Sequence, residues 1–217
     1  MEYMRNTRNT VFAVLSLLVI FTLLSCDDHR PEDTTLRVGM VFTKDGDVLP
    51  YTECEQQGKA PLAVVFYVDR EGEAEGLAYA VSLYDTPSVS FSDTLVSYGT
   101  SVSMTAFDGF SNSYALRSKG IVSPLVLNVS PPFFVPSVAQ LRALYAVRPV
   151  VNMVIGQCGG DFIPDGDEWY WSSSEVDGQT IDRAWLYALS SGQPEPAHKF
   201  ERHPTRPILT VYQYNRN

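Results

Sequence analysis

From Leu36 to Tyr212 the apolar residues come in short runs separated by turn-forming residues, which limits the chain to short strands and a few helices. Residues 37–43 read as a strand, Asp45-Gly46 as a hairpin turn, and Val48-Leu49 as the start of the return. Residues 62–68 (LAVVFYV) suit one buried strand, 69–76 a charged turn, and 77–84 the next strand. The stretch 86–119 is rich in Ser, Thr and Gly with little periodicity, although 111–119 can form a short helix ended by Gly120. Ser137-Val138-Ala139-Gln140 is a capping box, and Val138, Leu141, Leu144 and Tyr145 give the helix behind it one apolar face. Pro149 is expected to open a second helix that runs to Ile155 and stops at Gly156. Residues 169–174, 184–189 and 208–212 read as the last strands. With 45% apolar and 19% charged residues the chain can bury a core. The expectation for 36–217 is one α+β domain: a small antiparallel sheet, two or three short helices on one side, and long loops.

The N-terminus speaks to location. Arg5 and Arg8 precede an apolar run, VFAVLSLLVIFTLL, that is shorter than the ~20 residues of a spanning helix. It reads as a secretory signal over 1–25. The run ends LLSC, which resembles the bacterial lipobox, so Cys26 is expected to be lipidated and to become the new N-terminus. Residues 26–35 (CDDHRPEDTT) form a polar tether. Acidic residues directly after such a cysteine resemble surface-export signals of Gram-negative lipoproteins, and outer-membrane attachment facing the cell surface is the expected placement. Contact with the membrane is then through the lipid alone. The net charge of −9 and the lack of a Lys/Arg cluster argue against nucleic acid as a partner.

Cys54 and Cys158 are candidates for a disulfide in an oxidising compartment, worth on the order of 4–5 kcal/mol through the long loop it would close. Two separate buried thiols are the other reading, and the sequence does not choose between them.

A family resemblance runs through the second half. FFVPSVAQLRALY, CGGD, WYWSSSE, AWLYALSSG and RPILTV, spread over 133–211, resemble the DUF1566 group, whose domains resemble the C-type-lectin-like fold. The earlier KDGD, LAVVFYV and MTAFDG are similar to the opening of bacteroidal surface lipoproteins that carry such domains. The resemblance implies a looped domain with two helices on a small sheet. Members include surface lipoproteins and adhesin-like proteins, and the fold does not itself give a function.

In WYWSSSE, Trp169, Trp171, Ser173 and Glu175 alternate with Tyr170, Ser172 and Ser174. Trp185 and Tyr187 share a face of a neighbouring strand. These aromatics suit either a sugar platform or a core, and the core is the favoured reading. A buried Glu175 needs a partner, and Arg206 is the candidate. Asp161, Asp165, Asp167 and Glu168 crowd one loop. The calcium motifs of sugar-binding C-type lectins are absent, so a solvated acidic loop is the reading and no metal or other cofactor is expected. His198 and His203 lack zinc spacing. The three-residue stretches Asp33-Thr34-Thr35 and Asp93-Thr94-Leu95 resemble an O-glycosylation motif. No GxSxG, P-loop or GxGxxG occurs.

Contact with a ligand is therefore expected from loops: Tyr98, Phe107 and Phe110 in 88–113, and the acidic loop 161–168. The leading functional expectation is a surface lipoprotein with a non-catalytic, adhesin-like domain for a glycan or protein. A minor structural subunit of a fimbria or envelope complex is the alternative. A cysteine enzyme of the formylglycine-generating type is a third, resting only on fold analogy and two cysteines that lack that family's motif.

Overall fold

The computed structural model describes residues 35–72 and 74–214. Apart from Thr35, the signal segment, Cys26 and the tether lie outside them.

A five-stranded antiparallel sheet carries the first half of the described chain. Strands β1 (Val41–Thr43) and β2 (Val48–Leu49) form the hairpin expected around Asp45-Gly46, and Gly46 has φ 90°. β3 (Pro61–Val68) and β4 (Ala78–Ser82) follow, and β10 (Ile208–Val211) returns from the far end of the chain. The strand order β10-β4-β3-β1-β2 leaves β10 and β2 at the edges. A short helix, α1 (Tyr51–Gln56), sits between β2 and β3. A second sheet of three antiparallel strands is built from β6 (Trp169–Glu175), β7 (Arg183–Ala188) and β8 (Gln193–His198). β5 (Val89–Ser90) and β9 (Arg202–His203) form a small third pairing.

The helices that connect these sheets are α2 (Gly109–Ser118), α3 (Pro124–Leu127) and α4 (Val138–Gln157). The capping box forms as expected: Ser137 Oγ accepts from Gln140 N–H and Gln140 Oε1 accepts from Ser137 N–H. Pro149 does not open a second helix. It lies inside one continuous helix of 20 residues. Leu144 before it and Val151 after it are both fully buried in one core, and that packing outweighs the single backbone hydrogen bond a proline removes.

Two cores result. The first lies between the large sheet (Val64, Phe66, Tyr79, Ile208), α4 (Leu141, Leu144, Ile155) and one face of the three-stranded sheet (Tyr170, Tyr187). The second lies on that sheet's other face, where Trp171, Leu186 and Ala197 meet Phe91, Tyr98, Leu116 and Leu125. The alternation of Tyr170 and Trp171 between two cores is what a strand buried on both faces requires. A third apolar layer covers the opposite face of the large sheet, with Met40, Val65, Ala80, Leu209 and Val211 buried and Leu36, Phe133 and Tyr214 against them. Among the described residues no helix is long and apolar enough to cross a membrane.

Candidate functional site

An apolar groove of about 670 Å³ opens beside β10, at the edge of the large sheet. One wall is a face of α2: Phe110 and Tyr114 stand four residues apart, 49% and 70% exposed. The other wall is the segment PPFF, with Phe133 and Phe134, followed by Thr210 and Tyr212 of β10 and its extension. Phe134 and Ile208 exchange both backbone hydrogen bonds at 2.8 and 3.0 Å, a one-residue bridge on the outer edge of β10. Pro131 and Pro132, just before it, have no N–H to continue that pairing. Thr210 Oγ1 is buried, without a hydrogen-bond partner, beside this edge. Arg117, whose guanidinium donates to Val129 O at 2.6 Å, is the charged residue lining the groove. The site can take an extended apolar segment with free backbone groups.

The residues expected to bind ligand do not come together. Phe110 lines the groove. Tyr98 does not face solvent: it is 2% exposed, its hydroxyl is 3.0 Å from Ser92 Oγ, and its ring packs edge-on to Phe91. Phe107 packs against Tyr67 with ring centroids 4.8 Å apart, half-buried against the first core. Asp161, Asp165, Asp167 and Glu168 are exposed, and Asp165 pairs with Arg148 at 2.6 Å. Among the described residues no three His, Cys, Asp or Glu side chains are grouped to hold a metal ion. Tyr114, Phe133, Phe134, Thr210 and Tyr212 were missed. The signal available was Phe110 and Tyr114 at one-turn spacing beside the PPFF run.

Trp171 is fully buried and its indole N–H donates to Val89 O at 3.0 Å, so it is core, as expected. Trp169 and Trp185 are partly buried against the second and first cores. Glu175 is fully buried, but Arg206 is not its partner. Lys199 is, with Nζ 2.5 Å from Glu175 Oε1 and neither side chain exposed. Arg206 instead binds Asp85. The loop 97–100 wraps the Glu175 carboxylate with the N–H groups of Tyr98, Gly99 and Thr100 and the hydroxyls of Ser97 and Thr100. These donors explain how a carboxylate is tolerated there.

Cys54 and Cys158 are unbridged thiols here. Cys54 Sγ donates to Lys59 O at 3.2 Å. Burial first, then the neighbouring Cys54, pushes the Cys158 thiol up to about 11. Burial also raises Asp108, at the start of α2, and raises Glu75, which Asp108 raises further.

No family model matches the chain, and no curated protein matches it. Its fold is similar to that in a crystal structure of a fimbrial protein from Bacteroides ovatus ATCC 8483, with a TM-score of 0.59 and 18% sequence identity. The match covers 81% of this chain and 49% of that one, so the chain spans about half the neighbour's length. At that identity the likeness is one of fold: mixed α/β, with mostly antiparallel sheets and few helices.

Proposed function

We propose that this protein is a non-catalytic, surface-associated binding subunit that grips an extended stretch of a protein partner in the groove beside β10, as a component of a fimbria-like assembly. The observation that carries this reading is the apolar groove beside β10, the last strand of the large sheet, whose outer edge is bridged by Phe134 at Ile208. A sheet edge offers backbone donors and acceptors, and an extended peptide is the ligand that uses them while its alternate side chains fill an apolar trough. The fold neighbour named as a fimbrial protein agrees with it. The predominantly apolar lining favours a protein segment over a glycan as the ligand. The lipid anchor at Cys26 and the outward-facing location belong to the same proposal and rest on the N-terminal sequence. The C-type-lectin-like and DUF1566 assignments also belong here. Their support is that the motifs of 133–211 fall on α4, β6, β7 and β10, which share the first core.

The non-catalytic reading draws support from the cysteines. A thiol held near 11 is largely protonated at neutral pH and a poor nucleophile.

A photo-crosslinking amino acid at Tyr114, and in a control at the exposed Phe162, tests the groove in cells that make the protein. Adducts with one protein from position 114 only, mapped to an extended segment, are expected. Equal adducts from both positions, or glycan binding that Tyr114→Ala abolishes, would overturn the assignment.

A further inference from the structure

Glu175 and Lys199 meet in a site with unusual properties for an ion pair. Both side chains are fully buried, and Nζ lies 2.5 Å from Oε1, so the carboxyl carbon is at most one C–O bond further. That is close to the near-attack range of about 3–3.5 Å. The rings of Phe91 and Tyr98 lie 5.2 and 5.3 Å from Nζ. The second carboxyl oxygen, Oε2, accepts from Gly99 N–H and Thr100 N–H, each at 3.1 Å, and from the Thr100 hydroxyl at 3.2 Å.

We propose that the Lys199 amine condenses with the Glu175 carboxyl to form an intramolecular amide that ties β6 to the turn after β8. The inference is independent of the groove. Both side chains are fully buried, and a proton passed from the ammonium to Oε1 leaves a neutral amine beside a neutral acid, the form from which condensation starts. Burial also depresses the Lys199 ammonium below its ordinary range, which favours that transfer. The Nζ lone pair then adds to the carboxyl carbon. Negative charge develops on Oε2, where three fixed donors already point, as in an oxyanion hole. A second proton moves from nitrogen to the Oε1 hydroxyl, and the C–Oε1 bond breaks to release one water. No oxidant, reductant or cofactor is needed. The product is uncharged. Oε2 keeps its donors as the amide oxygen, and the remaining N–H keeps Val96 O or Thr180 O, both of which Nζ already contacts at 2.7 and 2.6 Å.

The sequence makes the test direct. Trypsin cuts after Arg142, Arg183, Lys199 and Arg202, while Arg148 is protected by Pro149. An amide would block cleavage at Lys199 and join peptide 143–183 to peptide 184–202. The expected result from the denatured, reduced full chain is that joined species, one water lighter than the two peptides together, with fragmentation placing the link at Glu175 and Lys199. A Glu175→Ala chain should give separate peptides, whether or not it folds, because the map is read after denaturation. Separate peptides 184–199 and 143–183 from the wild-type chain would overturn the proposal. So would a joined species that persists in Glu175→Ala.

Discussion

Arg206 Nη1 donates to Asp85 Oδ1 at 2.9 Å, and this pair joins the entry to β10 to the segment after β4. Three more of the guanidinium N–H groups are used. Nε donates to Ser82 O at 3.0 Å, and Nη2 donates to Leu83 O and Asp161 O at 2.9 and 2.7 Å. The other Asp85 oxygen accepts from Tyr170 O–H at 2.9 Å. One cation therefore holds three segments that are far apart in the chain.

Replacing Arg206 by Ala should destabilise the protein by about 3 kcal/mol, since it leaves several carbonyls and a carboxylate without their donor. Arg206→Lys should recover only part of this, because a single ammonium cannot reproduce the fork that reaches Asp85, Leu83 and Asp161 together. Chemical denaturation of the two variants beside the wild type measures both effects. Equal stability of Lys and wild type would show that charge alone matters there.

The groove and the core should separate cleanly. Trp171→Ala removes a fully buried ring from the second core and should cost about 3–5 kcal/mol. Tyr114 is 70% exposed on the groove wall, so Tyr114→Ala should change stability by no more than about 0.5 kcal/mol. Thermal melts of both, paired with the crosslinking measurement, check this. A Tyr114→Ala variant that unfolds would mean the wall is part of the fold's support.

Ser137→Ala should cost about 1 kcal/mol, because it removes the cap of the longest described helix and also the hydroxyl that donates to Ala106 O at 2.8 Å. Gly109→Ala should be worse. A Cβ there would stand 2.2 Å from Gln140 Oε1 and 2.8 Å from Val135 O. The denaturation midpoints of the two variants should fall in that order.

Much of this was legible in the sequence because local rules carried it. The Asp45-Gly46 hairpin, the capping box, and the strands around Val64, Tyr79 and Trp171 follow from turn chemistry and apolar runs. What failed depended on contacts between distant segments. Lys199 rather than Arg206 reached Glu175 because β8 exists, and QPEPAH does not read as a strand. Its two prolines are accommodated because β8 is the edge of its sheet, with Pro194 and Pro196 opposite Tyr187 and Trp185. Tyr98 was expected at the surface because its neighbours are small and polar. Those same neighbours are the ones that curl around the buried Glu175 carboxylate and carry Tyr98 inward. The groove was hidden for a related reason: its walls come from 110–117, 131–134 and 210–213, and only the fold brings them together.

The thiols give a pH prediction whose sign can be worked out. Burial raises both Cys54 and Cys158 in the folded protein, Cys158 from 9.0 to about 11. The unfolded chain therefore releases these protons first. The Cys158 contribution to stability is fully present below pH 9 and is lost as the pH rises from about 9 toward 11, and Cys54 acts in the same direction. A Cys158→Ser chain should show a shallower loss of stability across that window than the wild type, measured by denaturation at fixed steps of pH. Alkylation gives an independent reading: at pH 8 the folded Cys158 thiol should react far more slowly than that of the denatured chain, and the two rates should approach each other only as the pH nears 11. Rapid labelling of Cys158 in the folded protein at pH 8 would show that its thiol is not held in the neutral form by its surroundings.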